Sequence, residues 1–257
     1  MLFVILLVFG LCVVAYRGAV HEFQILQKDY EPNMVWTDMM NEQLPIVIRG
    51  IPKHWIGSWS YAKTAQKSWD VVVASPDKKK FKTQWSTWLQ TPNNTTPVHL
   101  KDVAKSMKLQ STFEHWMGEG FHQWYMLPVT TPTPYVFQPS DNLGLRKGVS
   151  NFTVIVATDG IPLELWIAHE GAIPNNVKDM IEFKDPWIQT TDDIPWIGDV
   201  KYIEIKLRPG NAVLLPRHWW YAIRAAQDDT SAPFAWFWKG DFHSPVSWLA
   251  SCLRPEA

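Results

Sequence analysis

The chain is poor in the residues that build covalent or thiolate scaffolds, with two cysteines, Cys12 and Cys252, among 257 residues. Neither a disulfide framework nor a cysteine zinc site can be made from that pair. An excess of either charge is also missing, since 24 basic side chains face 25 acidic ones. Such balance leaves no electrostatic footprint for nucleic acid, and no nucleic-acid partner is expected. Glycine is sparse, at 13 residues. Neither a phosphate-cradling Gly-rich loop nor a Gly-x-Ser-x-Gly nucleophile elbow occurs. What is abundant is aromatic: 16 Trp, 12 Phe and 7 Tyr in a chain that is 46% apolar. That composition excludes intrinsic disorder and suffices for one sizeable core.

The longest apolar run is at the N-terminus, where Leu2–Tyr16 (LFVILLVFGLCVVAY) carries no charge. As a helix it spans about 22 Å at about 1.5 Å per residue, short of a hydrocarbon core of about 30 Å. Val20 extends it only if Arg17 snorkels. A membrane anchor or signal segment is therefore expected over 1–20, followed by a linker over 21–43 and one domain over 44–257. A cleaved signal would want a basic n-region, which is missing. A buried core element is the third reading. Arg17 and Lys28 follow the run and nothing basic precedes it, so a single-pass anchor leaves the body cytoplasmic. Three Asn-x-Ser/Thr tripeptides, at Asn93, Asn94 and Asn151, pull the other way, because glycosylation needs a lumenal face.

Gln24–Asn41 reads as loop plus short helix, and Leu44–Arg49 as the first strand, closed by Gly50 and Pro52. Ser58–Gln66 and Leu100–Trp116 have helical character. Asp70–Ala74 (DVVVA) is a continuous β-branched run and so a buried strand. Pro76–Lys82 (PDKKKFK) reads as a basic surface loop, and the Pro/Thr-rich Met126–Pro139 as an extended connector. Six strands follow: Phe152–Ala157, Leu163–Ala168, Tyr202–Leu207, Ala212–Leu215, Tyr221–Ala225 and Phe234–Trp238. Turns fall at Asp159-Gly160, Pro209-Gly210 and Asp228-Asp229. Ser244-Pro245 opens a short C-terminal helix. Many short strands with such punctuation predict an α+β, mainly β fold of sandwich or barrel type.

The most informative stretch is Lys201–Arg224, KYIEIKLRPGNAVLLPRHWWYAIR. Gly210, five residues and then Pro216 has the spacing of the second cupin motif, with the glycine making a tight turn and the proline ending the strand. Followed by Trp219-Trp220, it resembles the JmjC/cupin-like branch of the 2-oxoglutarate and iron-dependent oxygenases. Leu44–Gly50 with Trp55 (LPIVIRGIPKHW) is similar to that family's opening strand. The resemblance covers about residues 44–245 and implies a double-stranded β-helix (cupin, or jelly-roll) barrel preceded by helices.

The resemblance also implies Fe(II) held by two His and one carboxylate, with 2-oxoglutarate as cosubstrate. The first His and the carboxylate would come from His-x-Asp/Glu on one strand, since residues two apart share a face. None of the 8 histidines is followed two residues later by Asp or Glu. Phe152–Val156, the segment best placed for that strand, has no ligand atoms. The second histidine would follow the Trp pair, where Tyr221 stands. His218, three residues earlier, belongs to the opposite face. A rebuilt site from His218, His169 and Glu204 is conceivable on paper.

The expectation is therefore a membrane-tethered, non-catalytic binding or structural module with no cofactor. Its pocket for a protein or small-molecule ligand would be lined by Tyr221, His218, Trp220, Trp166 and His169. The alternatives are a divergent Fe(II)/2-oxoglutarate hydroxylase and a lumenal carbohydrate-binding surface made of clustered tryptophans. In that cluster Phe234, Trp236 and Trp238 share a strand face, with Trp166, Trp219 and Trp220 near them.

Overall fold

A computed structural model of the chain describes residues 24–32, 43–56, 60–75, 77, 79–92, 95–98, 100–109, 132–139, 141–182, 184–195, 197–226 and 232–243. The apolar run Leu2–Tyr16, Asn93, Asn94 and the expected C-terminal helix lie outside them. Among the described residues no helix is long and apolar enough to cross a membrane. The fold is mainly β. Its strands are β1 (Leu26–Asp29), β2 (Ile46–Arg49), β3 (Asp70–Ala74), β4 (Lys80–Gln84), β5 (Thr96–Val98), β6 (Thr133–Phe137), β7 (Asn142–Lys147), β8 (Phe152–Gly160), β9 (Leu163–His169), β10 (Ile203–Leu207), β11 (Ala212–Pro216), β12 (Trp219–Ala225) and β13 (Ala235–Phe242). Among the described residues five short α-helices accompany them: α1 (Lys53–Ile56), α2 (Tyr61–Thr64), α3 (Trp85–Gln90), α4 (Lys101–Ser106) and α5 (Asn175–Ile181).

Three sheets result: a six-stranded one in the order β1-β2-β11-β8-β13-β6, a four-stranded one in the order β10-β9-β12-β7, and a three-stranded one in the order β4-β3-β5. The described strands do not close into one hydrogen-bonded barrel. Of the larger two, the inner faces pack on each other through Ile155, Val213 and Phe237 on one side and Leu165, Ile167 and Ile223 on the other. The outer face of the six-stranded sheet is covered as well, with Val154, Leu214 and Trp236 meeting Val73, Trp85 and Val103. On the outer face of the four-stranded sheet, Ala168, Trp220 and Ala222 meet Val177 and Ile181 of α5.

Covering both faces explains why β8 reads FTVIVAT without alternation and is buried from Phe152 to Thr158. The two segments that carry the family resemblance are neighbours, since β2 pairs antiparallel with β11, Ile48 opposite Ala212. Their turns interlock: the Gly50 amide donates to Asn211 Oδ1 at 3.2 Å, and the Ile51 amide to the Gly210 carbonyl at 2.8 Å.

Several elements depart from expectation. The supposed loop after residue 24 contains β1, paired in parallel with β2. The basic stretch Pro76–Lys82 is in part strand, because β4 pairs with all of β3. The Pro/Thr-rich connector contains β6, which as an edge strand of the six-stranded sheet pairs only with β13. Prolines are tolerated at such an edge. Strand β7 has no counterpart among the expected strands, and β13 runs four residues past Trp238.

Two glycines test how tightly the sheets close. Gly210 has φ +85°, and a side-chain β-carbon placed there would have nothing within 4 Å of it. At Gly160, φ +82°, the same carbon would lie 1.8 Å from the Phe234 carbonyl oxygen. Gly210→Ala should cost only the left-handed strain of about 1–2 kcal/mol. Gly160→Ala adds a backbone collision and should exceed about 4 kcal/mol. Urea unfolding followed by circular dichroism measures both, and equal losses would contradict the close approach.

Candidate functional site

Alternation along β13 builds the polar feature of the interior. Ala235 and Phe237 face the other sheet, while Trp236 and Trp238 face outward. Period-2 geometry carries Lys239 and Asp241 to the same inner face as Phe237. Opposite them, β12 turns Trp219, Tyr221 and Ile223 inward. Two charged groups thus meet a phenol at the partly exposed end of an otherwise apolar layer.

The geometry is closely bonded. Lys239 Nζ donates to Tyr221 Oη at 3.1 Å and lies 2.8 Å from Asp241 Oδ2. The other carboxylate oxygen, Oδ1, accepts from Thr153 Oγ1 at 2.7 Å and from Ser150 Oγ at 3.3 Å. Those two hydroxyls are 2.8 Å apart. Tyr221, Thr153, Ser150 and the following His243 are all buried. Lys239 and Asp241 themselves are only partly buried, with side chains 13% and 21% exposed, and each charge has polar partners on the side turned away from water.

Protonation follows from those contacts. Burial alone would raise the Asp241 carboxyl, but the touching Lys239 charge, Thr153 and the nearby His243 outweigh it and hold it below its usual range. Burial would likewise lower the Lys239 ammonium, yet Asp241 outweighs it and the value lies well above normal. For Tyr221 burial wins over the Lys239 charge, and its phenol is pushed up. The network is thus ammonium, carboxylate and neutral phenol at neutral pH.

The expected pocket residues do not converge. Tyr221 alone joins this network. Its neighbours across the sheet are Arg146 on β7 and Ile167 on β9. The expected ligand strand Phe152–Val156 lies instead in the opposite sheet, between β11 and β13. Arg146 shares the inner face with Tyr221, and its Nε is buried. His169 stands opposite Trp219 at the end of β9, edge-on to its ring at 5.3 Å, and its Nδ1 accepts from the Gly171 amide at 3.1 Å.

His218 lies in the β11–β12 turn at φ +74°, where its ring bonds Glu170 Oε2 at 2.9 Å. Trp220 is buried against α5. Trp166 packs on Trp187 and Tyr202, each at 5.1 Å. Glu204, opposite Trp166, is exposed. The paper site of His218, His169 and Glu204 is accordingly not assembled. Among the described residues no three His, Cys, Asp or Glu side chains group so as to hold a metal ion.

The tryptophans likewise form no single platform. Trp236 and Trp238 belong to the layer outside the six-stranded sheet, Trp219 to the middle layer and Trp220 to the layer under α5. Alternation sends adjacent residues to opposite faces, and two covered faces per sheet give three layers for them to enter. Phe234 and Trp236 do share a layer with Trp238, as their spacing requires.

A second charged group closes the end of the four-stranded sheet. Glu170 is bonded by Lys147 and His218, with Lys178 Nζ 3.7 Å away. Burial works to raise its pKa, but the hydrogen bonds of Lys147 and His218 and the charges of Lys147 and Lys178 bring it down to about 2. Asn151, the one candidate glycosylation site described, has its amide bonded to the Phe242 carbonyl and its own carbonyl bonded to the Arg217 amide. Its threonine, Thr153, serves Asp241.

No protein-family profile matches the chain, and no curated protein is significantly similar to it.

Two outcomes follow from the charge geometry. Asp241→Asn leaves the partly buried Lys239 ammonium without its counter-charge and should cost about 1–3 kcal/mol. The double change Lys239→Met with Asp241→Leu should recover most of that loss, measured by urea unfolding. For Glu170, the folded pKa of about 2 lies below the ordinary 4.5. Its stabilisation is therefore present above the ordinary value and disappears as pH falls toward the folded one. Glu170→Gln should flatten that acid limb of the stability profile and leave neutral-pH slopes unchanged.

Proposed function

We propose that this chain is a membrane-tethered, non-catalytic module of double-stranded β-helix type, related to the JmjC/cupin-like oxygenases, whose iron centre has been replaced by an internal ion pair. The strand order supports the fold part of the reading. The eight strands β6 to β13 enter the two facing sheets in the sequence large, small, large, small, small, large, small, large. They give the orders β6-β13-β8-β11 and β7-β12-β9-β10, which are those of a jelly roll. The adjacency of β2 and β11 adds to it, because both resembling segments then belong to one sheet.

The observation that carries the functional part is the Lys239 ammonium held between Tyr221 and Asp241. Position 221 is where the resemblance puts a metal-binding imidazole, and its side chain here is a phenol whose partner is a cation. The adjacent strand offers Leu145, Arg146 and Lys147 in place of a His-x-Asp pair. A divalent ion placed beside an ammonium and a guanidinium meets repulsion that low dielectric strengthens. The carboxylate of the network, Asp241, is already engaged by Lys239, Thr153 and Ser150. These residues do not fit Fe(II), and no oxidative step is derived from them. The apolar run at Leu2–Tyr16 supports the tether.

Iron content and 2-oxoglutarate turnover of the purified protein test the reading. Metal near zero and no decarboxylation are expected, with Tyr221→His alone also failing to bind iron. Stoichiometric iron coupled to turnover would instead establish a divergent hydroxylase.

A further inference from the structure

We propose that the β3–β4 hairpin is a docking surface for an anionic membrane face. Its described tip and outer strand carry Lys79, Lys80 and Lys82 against a single acid, Asp77. Asp77 and Lys79 pair at 3.2 Å with both side chains largely in water, so the acid of that segment is already spoken for by one of its lysines. Strand β4 is the edge of its sheet, and Lys79, Lys80, Phe81 and Lys82 are all exposed.

The register sorts these residues by face. Lys80 stands opposite Ala74 and Lys82 opposite Val72, on the face turned away from the core; both small residues are half-buried. That face is a short apolar floor rimmed by ammonium groups. Phe81 stands opposite Val73, which is fully buried, yet Phe81 itself is 48% exposed. The ring and the flanking lysines thus leave opposite faces of one unpaired edge, so the strand meets a membrane edge-on, at the boundary between headgroups and acyl chains. In that pose the ring enters the interface while the ammonium groups meet phosphate and carboxylate charges.

Placement agrees with the tether reading, on which this one point rests. Leu26 packs against the same layer that holds Val71 and Val73. The apolar run ends at Tyr16, ten residues before Leu26, so the chain between them spans at most about 35 Å when fully extended. A hairpin and a strand β1 that share one layer put the start of the described chain and the lysines on one side of the molecule's core, and a second weak signal of this kind converts marginal attachment into stable attachment.

Hydrogen exchange of the full chain on vesicles tests the proposal. Amides of residues 79–84 should exchange at least severalfold more slowly on phosphatidylserine-containing phosphatidylcholine vesicles than on phosphatidylcholine alone. The protection should vanish at high salt and in the triple variant Lys79→Ser, Lys80→Ser, Lys82→Ser. Flotation with phosphatidylcholine alone reports the tether separately, so the two readings fail independently. Equal exchange on both lipids, protection that survives in the triple variant, or protection by polyglutamate but by neither vesicle would each overturn it. The last would assign the hairpin to an acidic protein.

Discussion

Withdrawing an ammonium from most of its water is costly, and the two facing sheets supply the polar groups that offset it. Lys239 sits in the layer where two sheets meet, with Tyr221 turned toward it and Thr153 and Ser150 turned toward its partner Asp241. The arrangement depends on strand alternation, because only the residues of β13 in phase with Phe237 reach that layer. It also depends on β12 presenting Tyr221 rather than Ile223 at that level. Neither strand could slip by one residue without exchanging the ion pair for Trp238 or the phenol for Trp220. The pair therefore specifies register as well as occupying space.

That role gives the charge a structural part to play. A fixed monovalent charge, supplied by the chain itself, draws together side chains from both facing sheets. Its ligands are a carboxylate two residues along the same strand and a phenol from the facing sheet. The hydroxyls of Thr153 and Ser150 bind the second carboxylate oxygen and link β13 to β8 and the turn before it.

The charged groups at the periphery work differently. Glu170 gathers Lys147, Lys178 and His218 at one end of the four-stranded sheet, tying β7, α5 and the β11–β12 turn together near water. There the carboxylate is held ionised by two lysines, and screening limits what each contact contributes. On the β3–β4 hairpin the lysines outnumber the acids of their own segment, which is why that surface is the one read as facing an anionic partner.

Strands with both faces covered are legible as apolar runs, and β8, β9, β11 and β12 announce themselves that way. The Gly210–Pro216 spacing marks the turn and strand end, and it leads to Tyr221. Edge strands β4 and β6 are not legible, since lysines and prolines at an edge look like loop. The polar β7 is hidden for the same reason, its Arg146 and Lys147 serving opposite faces. Local pattern states which residues alternate, but with every face covered it does not state which face is the inner one. Lys239 and Asp241 follow a tryptophan-rich strand and look in the sequence like its solvated end. Their withdrawal from most of the solvent was decided by the facing sheet, whose β12 closes over β13 and brings Tyr221 to Lys239, while the neighbouring β8 brings Thr153 to Asp241.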